Sequence, residues 1–203
     1  MALTKISINN FRCFKNVDLQ LSPGINFFFG KNGSGKTSIL ESVFIFSSGK
    51  SFKSSNLASL VNYENDKFTL KAFDNLKGYI VEIEKNKNKP ISVLLNNKKV
   101  TTSKLIKEFP CTPIHNNTFS FADASPDFRR KLLDRSIFIS KKSFYECWFS
   151  YYRSLKQRNS ILKNNRISDI YIWNSKLSDE GIKLNNMRNN FFTKTKNEFY
   201  YLI

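Results

Sequence analysis

Histidine and cysteine are scarce in this chain: His115 is the only histidine, and the three cysteines, Cys13, Cys111 and Cys147, lie far apart without C-x-x-C spacing. A single imidazole largely excludes a histidine-based metal cluster and Ser-His-Asp chemistry. An odd, scattered set of thiols argues against a disulfide frame or zinc site and fits buried thiols in a reducing compartment. Long apolar runs are also missing. No stretch reaches the about 18 apolar residues that a membrane span needs, and Met1-Ala2-Leu3-Thr4-Lys5 lacks the apolar stretch of a secretory signal. The simplest expectation is a cytoplasmic protein with no membrane partner.

Acidic residues are the next shortage: 16 Asp and Glu stand against 33 Lys and Arg, a formal net charge of +17. Such an excess predicts an anionic partner, with nucleic acid foremost. Part of it is compositional. Twenty-five lysines against eight arginines, together with 24 asparagines and 20 phenylalanines, is the profile of a strongly AT-biased coding sequence whatever the function. The arginines are more selective, because seven of the eight lie between positions 129 and 188. Their planar fork binds phosphate or carboxylate in a bidentate way that lysine cannot copy. Residues 123–166 hold eleven basic and four acidic side chains, the densest basic stretch of comparable length. Arg129, Arg130 and Arg158 are therefore candidate DNA contacts. An acidic-partner surface belongs to the same reading, and solvated helix faces with i,i+4 pairs are the competing one.

What the chain does contain is a complete G-x-x-x-x-G-K-[ST] pattern: Gly30-Lys31-Asn32-Gly33-Ser34-Gly35-Lys36-Thr37. Its glycines let successive backbone N–H groups turn inward toward the α- and β-phosphates of a nucleotide. Lys36 can reach the β- and γ-phosphates, and the Thr37 hydroxyl can sit on the bridging Mg²⁺. A following helix adds the positive end of its dipole. The flanks agree with the pattern. Residues 25–29, Ile25-Asn26-Phe27-Phe28-Phe29, read as a short buried strand, and Ile39, Leu40, Val43 and Phe44 recur at helical spacing. Average residue frequencies put a chance match in this chain below about 1%. ATP with Mg²⁺ is the expected ligand.

Residues 3–8 and 17–21 alternate apolar and polar, as half-buried strands do. Residues 67–73, 78–84 and 91–95 alternate again, and Asn96-Asn97 sits where a hairpin turn closes onto Lys98. These segments predict an antiparallel layer. The character changes near residue 115. Ser125-Pro126-Asp127 is a helix start, with an N-cap serine, proline at the first position and an acid in the first turn. Phe144, Trp148, Tyr151, Leu155 and Leu162 form one apolar stripe, and Trp173, Leu177, Leu184, Met187 and Phe191 a second. Two antiparallel helices burying these stripes are expected. The last residues, ending Tyr200-Tyr201-Leu202-Ile203, are apolar without a cap or polar tail and read as an interrupted chain.

Two short strands, the Phe11-Arg12-x-Phe14 turn, a phosphate loop near residue 30 and a β layer together resemble the head of an ABC-type ATPase. Within that group the chain resembles the RecF family of bacterial recombinational repair proteins. The matching residues are Asn10-Phe11-Arg12, Leu21 to Asn26, the phosphate loop continuing through Ser38-Ile39-Leu40-Glu41-Ser42, and Ser51-Phe52-Lys53-Ser54. Further on come Pro126-x-x-Arg129-Arg130-x-x-Leu133-Asp134, Tyr152-Arg153-x-Leu155-Lys156-Gln157-Arg158-Asn159, and Trp173-x-x-Lys176-Leu177 with Gly181.

The resemblance implies an α/β P-loop NTPase of ABC-ATPase head type, with mixed and antiparallel β layers around the phosphate-loop helix. Residues 1–115 would be the N-terminal part of the first lobe and 116–203 the incomplete start of a helical second lobe. It further implies binding of ATP and Mg²⁺, an ATP-dependent homodimer, and action at single-stranded or gapped duplex DNA. RecO and RecR would be the repair partners, supporting recombinational repair, replication restart and the SOS response. Arg12 would lie close to the nucleotide. The match covers the N-terminal half of a family member or slightly more, and the signature loop, Walker B acids and switch histidine are not visible in the chain. No catalytic residue is therefore assigned, and the chain alone is expected neither to dimerise on ATP nor to hydrolyse it. Asn116-Asn117 stands where the family usually has a Pro-acid pair, and Asn174 where an aspartate is common. An inactive truncated piece of such a protein is the main alternative; a small P-loop kinase or a transporter ATPase subunit fits less well.

Overall fold

Alternating apolar residues along the first half of the chain build one antiparallel sheet in the computed structural model, which describes residues 3–75, 77–114, 125–164 and 170–201. Its strands are β1 (Lys5–Phe11), β2 (Phe14–Gln20), β3 (Lys67–Asp74), β4 (Tyr79–Asn86), β5 (Ser92–Leu95) and β6 (Lys98–Lys99). They lie in the order β2-β1-β3-β4-β5-β6. Register explains which face is buried. Ile8 pairs with Leu70, Leu70 with Ile83 and Ile83 with Val93, while Ile6, Ala72, Val81 and Leu95 form a parallel row. With a side-chain period of two, both rows fall on one face. Helix α1 (Lys36–Ser48) supplies Ile45 and Phe46 to that face, and α2 (Thr102–Glu108) supplies Leu105. The β5–β6 hairpin closes through Asn96 (φ 48°) and Asn97 (φ 62°). Both central residues of such a two-residue turn need positive φ, which asparagine tolerates better than other non-glycine residues.

The second half is helical: α3 (Pro126–Ser140), α4 (Lys142–Lys163) and α5 (Ile170–Tyr200). The start of α3 is as expected, with Pro126 in the first turn and the Ser125 side chain accepting from the Phe128 N–H at 3.3 Å. Ile137, Phe144 and Leu184 form the core of this half, packed against Trp148, Tyr151, Met187 and Phe191. The two apolar stripes thus meet through Phe144, Trp148 and Tyr151 on one side and Leu184, Met187 and Phe191 on the other, and Leu162 ends the first one exposed. The chain divides into two compact units, Met1–Ile114 and His115–Ile203. The Asn116-Asn117 pair lies outside the described residues. Among those described, no helix is long and apolar enough to cross a membrane.

Two features differ from the sequence reading. Residues 25–29 form no strand, and Ile25, Phe27 and Phe29 are exposed, Phe29 by 93%. A strand exists only through a ladder partner, and none of the described strands pairs with this run. The segment is organised locally instead. The Asn26 side chain accepts from the Ser22 N–H at 2.8 Å and donates to the Ser22 carbonyl at 2.9 Å. Consequently every strand pairing among the described residues is antiparallel, with no mixed layer. The second difference is α2, which the sequence did not announce. Leu105 is its one fully buried residue, too little to make a periodic signal.

Candidate functional site

Residues 30–37 form a largely exposed loop that runs into α1. Gly30, Gly33 and Gly35 take φ of 148°, 85° and 90°. The need for glycine is sharpest at Gly35. A Cβ there would lie 2.7 Å from Phe14 Cε1 and 3.1 Å from Cys13 Sγ, so both the backbone conformation and the space exclude a side chain. Gly35 is also the N-cap of α1, makes no side-chain cap bond, and is followed by no acid in the first turn. The helix therefore begins with its N–H groups and dipole uncompensated by a side chain, which is the condition for receiving an anion.

Lys36 Nζ donates to the carbonyls of Gly30 and Lys31, at 2.8 Å each. The ammonium spans the loop from its end to its beginning and braces it from within. Thr37 stands exposed in the first turn of α1, and Lys31, Asn32 and Ser34 are exposed as well. All eight predicted loop residues are therefore contiguous around one helix end, with a cation inside and a hydroxyl beside it.

Behind the loop lies a network that sequence reasoning missed. Arg12 Nε and Nη2 donate to Glu41 Oε2 and Oε1 at 3.0 and 2.9 Å, and the Ser51 hydroxyl also donates to Glu41. The Glu41 side chain is 1% exposed. A buried carboxylate is costly unless paired and hydrogen-bonded, and a bidentate guanidinium meets that demand. Ser51 Oγ in turn accepts from the N–H groups of Lys53 and Ser54, at 2.9 Å each. Arg12 is thus committed to α1, and Glu41 is the residue that places it. The available signal was the single acid of α1, one turn beyond Thr37.

The second unit carries the arginine candidates. Arg129 and Arg130 are exposed on α3. Asp127 sits beside them: Lys131 Nζ lies 2.6 Å from its carboxylate and Arg130 Nη2 3.9 Å. The hydrogen bond from Lys131, aided by the charges of Lys131 and Arg130, holds the Asp127 carboxyl below its ordinary range. Arg158 is half-buried on α4, and its Nε donates to Asn174 Oδ1 on α5 at 2.6 Å. One face of this fork staples two helices, so Arg158 is less available than the α3 pair. Arg188, from the same cluster, is mostly buried, bonded through Nε and Nη2 to Asp134 at 2.7 Å each.

Comparison with known proteins agrees over both units. The family described as "RecF/RecN/SMC N terminal domain" matches residues 2–125. A DNA replication and repair protein RecF of Actinobacillus pleuropneumoniae serotype 5b is 34% identical over 195 residues, covering 94% of this chain and 54% of the relative. The RecF of Glaesserella parasuis is 37% identical over 184 residues, covering 88% and 50%. The chain therefore spans about half the length of the relatives it matches. Among solved structures, the recombination mediator protein RecF in its ATP form superposes with a TM-score of 0.84 at 26% identity, over 97% of this chain and 55% of that one. An SMC ATPase structure matches at 0.54 and 20% identity, which bears on fold alone.

Proposed function

The chain belongs to the RecF/RecN/SMC N-terminal domain family, on the RecF side of it, and from that premise we propose that it is an ATP- and DNA-binding part of the DNA replication and repair machinery. The observation that carries this reading is the phosphate loop at the uncapped start of α1, braced by Lys36. Backbone N–H groups of residues 33–37 hold the α- and β-phosphates, and Lys36 neutralises the β- and γ-phosphates. In this chain the Thr37 hydroxyl would help hold Mg²⁺, which would supply positive charge to the phosphates when bound.

The first lobe of an ABC-type head corresponds to residues 1–115 and the beginning of the second to 116–203. Single-stranded or gapped duplex DNA and RecO- and RecR-type partners belong to the same proposal, with recombinational repair, replication restart and SOS induction as the roles served; the ATP-dependent homodimer belongs to the intact family member, not to this chain alone. The signature loop and Walker B acids of such heads do not occur in these 203 residues, so the chain by itself binds ATP without steady-state turnover.

Calorimetric titration with Mg-ATP tests the loop, and saturable one-site binding is the expected result. An ATP-blind chain would instead be the inactive piece. DNA contact is tested by salt. Arg129 and Arg130, each making one phosphate contact, give a log–log slope of about −1.8, so affinity falls about tenfold from roughly 50 to 200 mM salt. The Arg129→Ala/Arg130→Ala pair removes this component, and Arg158→Ala removes less because Asn174 already holds its Nε. Unchanged affinity at low salt in the α3 pair would place the DNA surface elsewhere.

A further inference from the structure

At the end of β1 and in the turn to β2, two non-glycine residues take the left-handed region, Asn10 (φ 54°) and Arg12 (φ 55°). That conformation persists at such residues only where the surroundings over-determine it. Here they do. The Arg12 N–H donates to the Leu60 carbonyl and the Asn62 N–H to the Asn10 carbonyl, both at 2.8 Å. Asn62 Nδ2 donates to the Arg12 carbonyl at 3.0 Å, and the Arg12 side chain is locked onto buried Glu41.

The residues that follow this rigid turn stand against the phosphate loop. Phe14 and Cys13 occupy the space a Cβ would need at Gly35, with the Phe14 ring edge the nearest group. Phe14 is itself packed against the main core, so the ring has little freedom to withdraw. The start of α1 is therefore held at two points by one turn: by the ring at Gly35 and by the ion pair at Glu41.

We propose that Phe14 is a positioning residue of the phosphate loop, fixing Gly35 and the first turn of α1 in the geometry that receives the phosphates. The proposal rests on the reading of the loop as a Mg-ATP site. Phe14 acts through Gly35, and Arg12, Glu41 and Asn62 act by holding the turn that carries Phe14. Loss of the ring frees the last glycine of the loop and lets its inward N–H groups diverge, so nucleotide affinity falls while the sheet remains.

The test titrates the 203-residue chain with Mg-ATP in four forms: unaltered, Phe14→Ala, Phe14→Leu and Val17→Ala. Val17 packs against the same core from the same strand and pairs with Ile8, but is no part of the turn. It controls for loss of packing alone. Phe14→Ala is expected to weaken Mg-ATP about tenfold, Phe14→Leu to recover most of the loss, and Val17→Ala to leave affinity unchanged. If Phe14→Ala does not fold, Phe14→Leu is combined with Gly35→Ala. The new Cβ meets a shorter side chain, so Gly35→Ala costs less affinity there than in the unaltered chain. Equal affinity of the unaltered chain and Phe14→Ala, additive losses in the pair, or an equal loss in Val17→Ala overturns the positioning role while leaving the ATP site standing. Absence of Mg-ATP binding in the unaltered chain overturns the site itself, and the positioning role with it.

Discussion

Lys36→Ala lowers Mg-ATP affinity about 100-fold, the loss expected for charge-assisted hydrogen bonds worth about 2.7 kcal/mol together. Two contributions add. The ammonium is the only side-chain cation bonded within the loop, donating at 2.8 Å to each of the Gly30 and Lys31 carbonyls, and in the proposed Mg-ATP site it would supply positive charge to the β- and γ-phosphates. A lysine carries three N–H donors, so one is free for phosphate while two still brace the loop. Alanine removes the charge and the brace in one step. Lys36 is no part of the buried core, so the thermal transition of the chain should hardly move. Calorimetry and a melting curve on the same sample separate the two effects. An unchanged Mg-ATP affinity with an intact fold would remove the loop from the binding site. Thr37→Ala supplies the complementary measurement, because its loss should appear only when Mg²⁺ is present.

The loop was legible because its chemistry is local. Eight consecutive residues fix the turn, the cation and the hydroxyl, and the helix behind them follows from Ile39 and Phe44 at helical spacing. The Asn96-Asn97 turn and the Ser125-Pro126 helix start were legible for the same reason, since positive φ and N-capping are properties of one or two residues. Strand formation at residues 25–29 is different. Apolar β-prone residues state a preference, but the ladder partner that realises it is non-local, and the described strands do not provide one. Long-range pairs were hidden altogether. Arg12 and Glu41 are 29 residues apart and meet only because the β1–β2 turn lies over α1. Arg188 shows how a correct chemical reading can take the wrong partner. Its fork was read as suited to phosphate or carboxylate, and the carboxylate it binds is the chain's own Asp134, 54 residues away.

That pair makes the largest stability prediction. Asp134 on α3 and Arg188 on α5 join through two 2.7 Å bonds, with side chains 9% and 16% exposed. The hydrogen bonds to Asp134 raise the Arg188 pKa further above its already high value, against the opposing effect of burial. A cation with a raised folded-state pKa contributes its full stabilisation at every pH below its unfolded value. The arginine side of the pair therefore gives no pH dependence near neutrality. Removing one partner leaves the other charge stranded with little water, which costs about 3 kcal/mol after allowance for its partial exposure. Arg188→Ala should be the worse single change, because the carboxylate it strands is the less exposed member. The double change Asp134→Leu/Arg188→Met strands nothing and should recover most of the loss, since apolar replacements of similar volume often match a buried ion pair. Urea titration followed by helical circular dichroism checks the order, with the double variant above both singles. A double variant as unstable as Arg188→Ala would mean that the pair contributes bonding the apolar residues cannot replace, and that α3 and α5 are held together by charge rather than by the Ile137–Leu184 core.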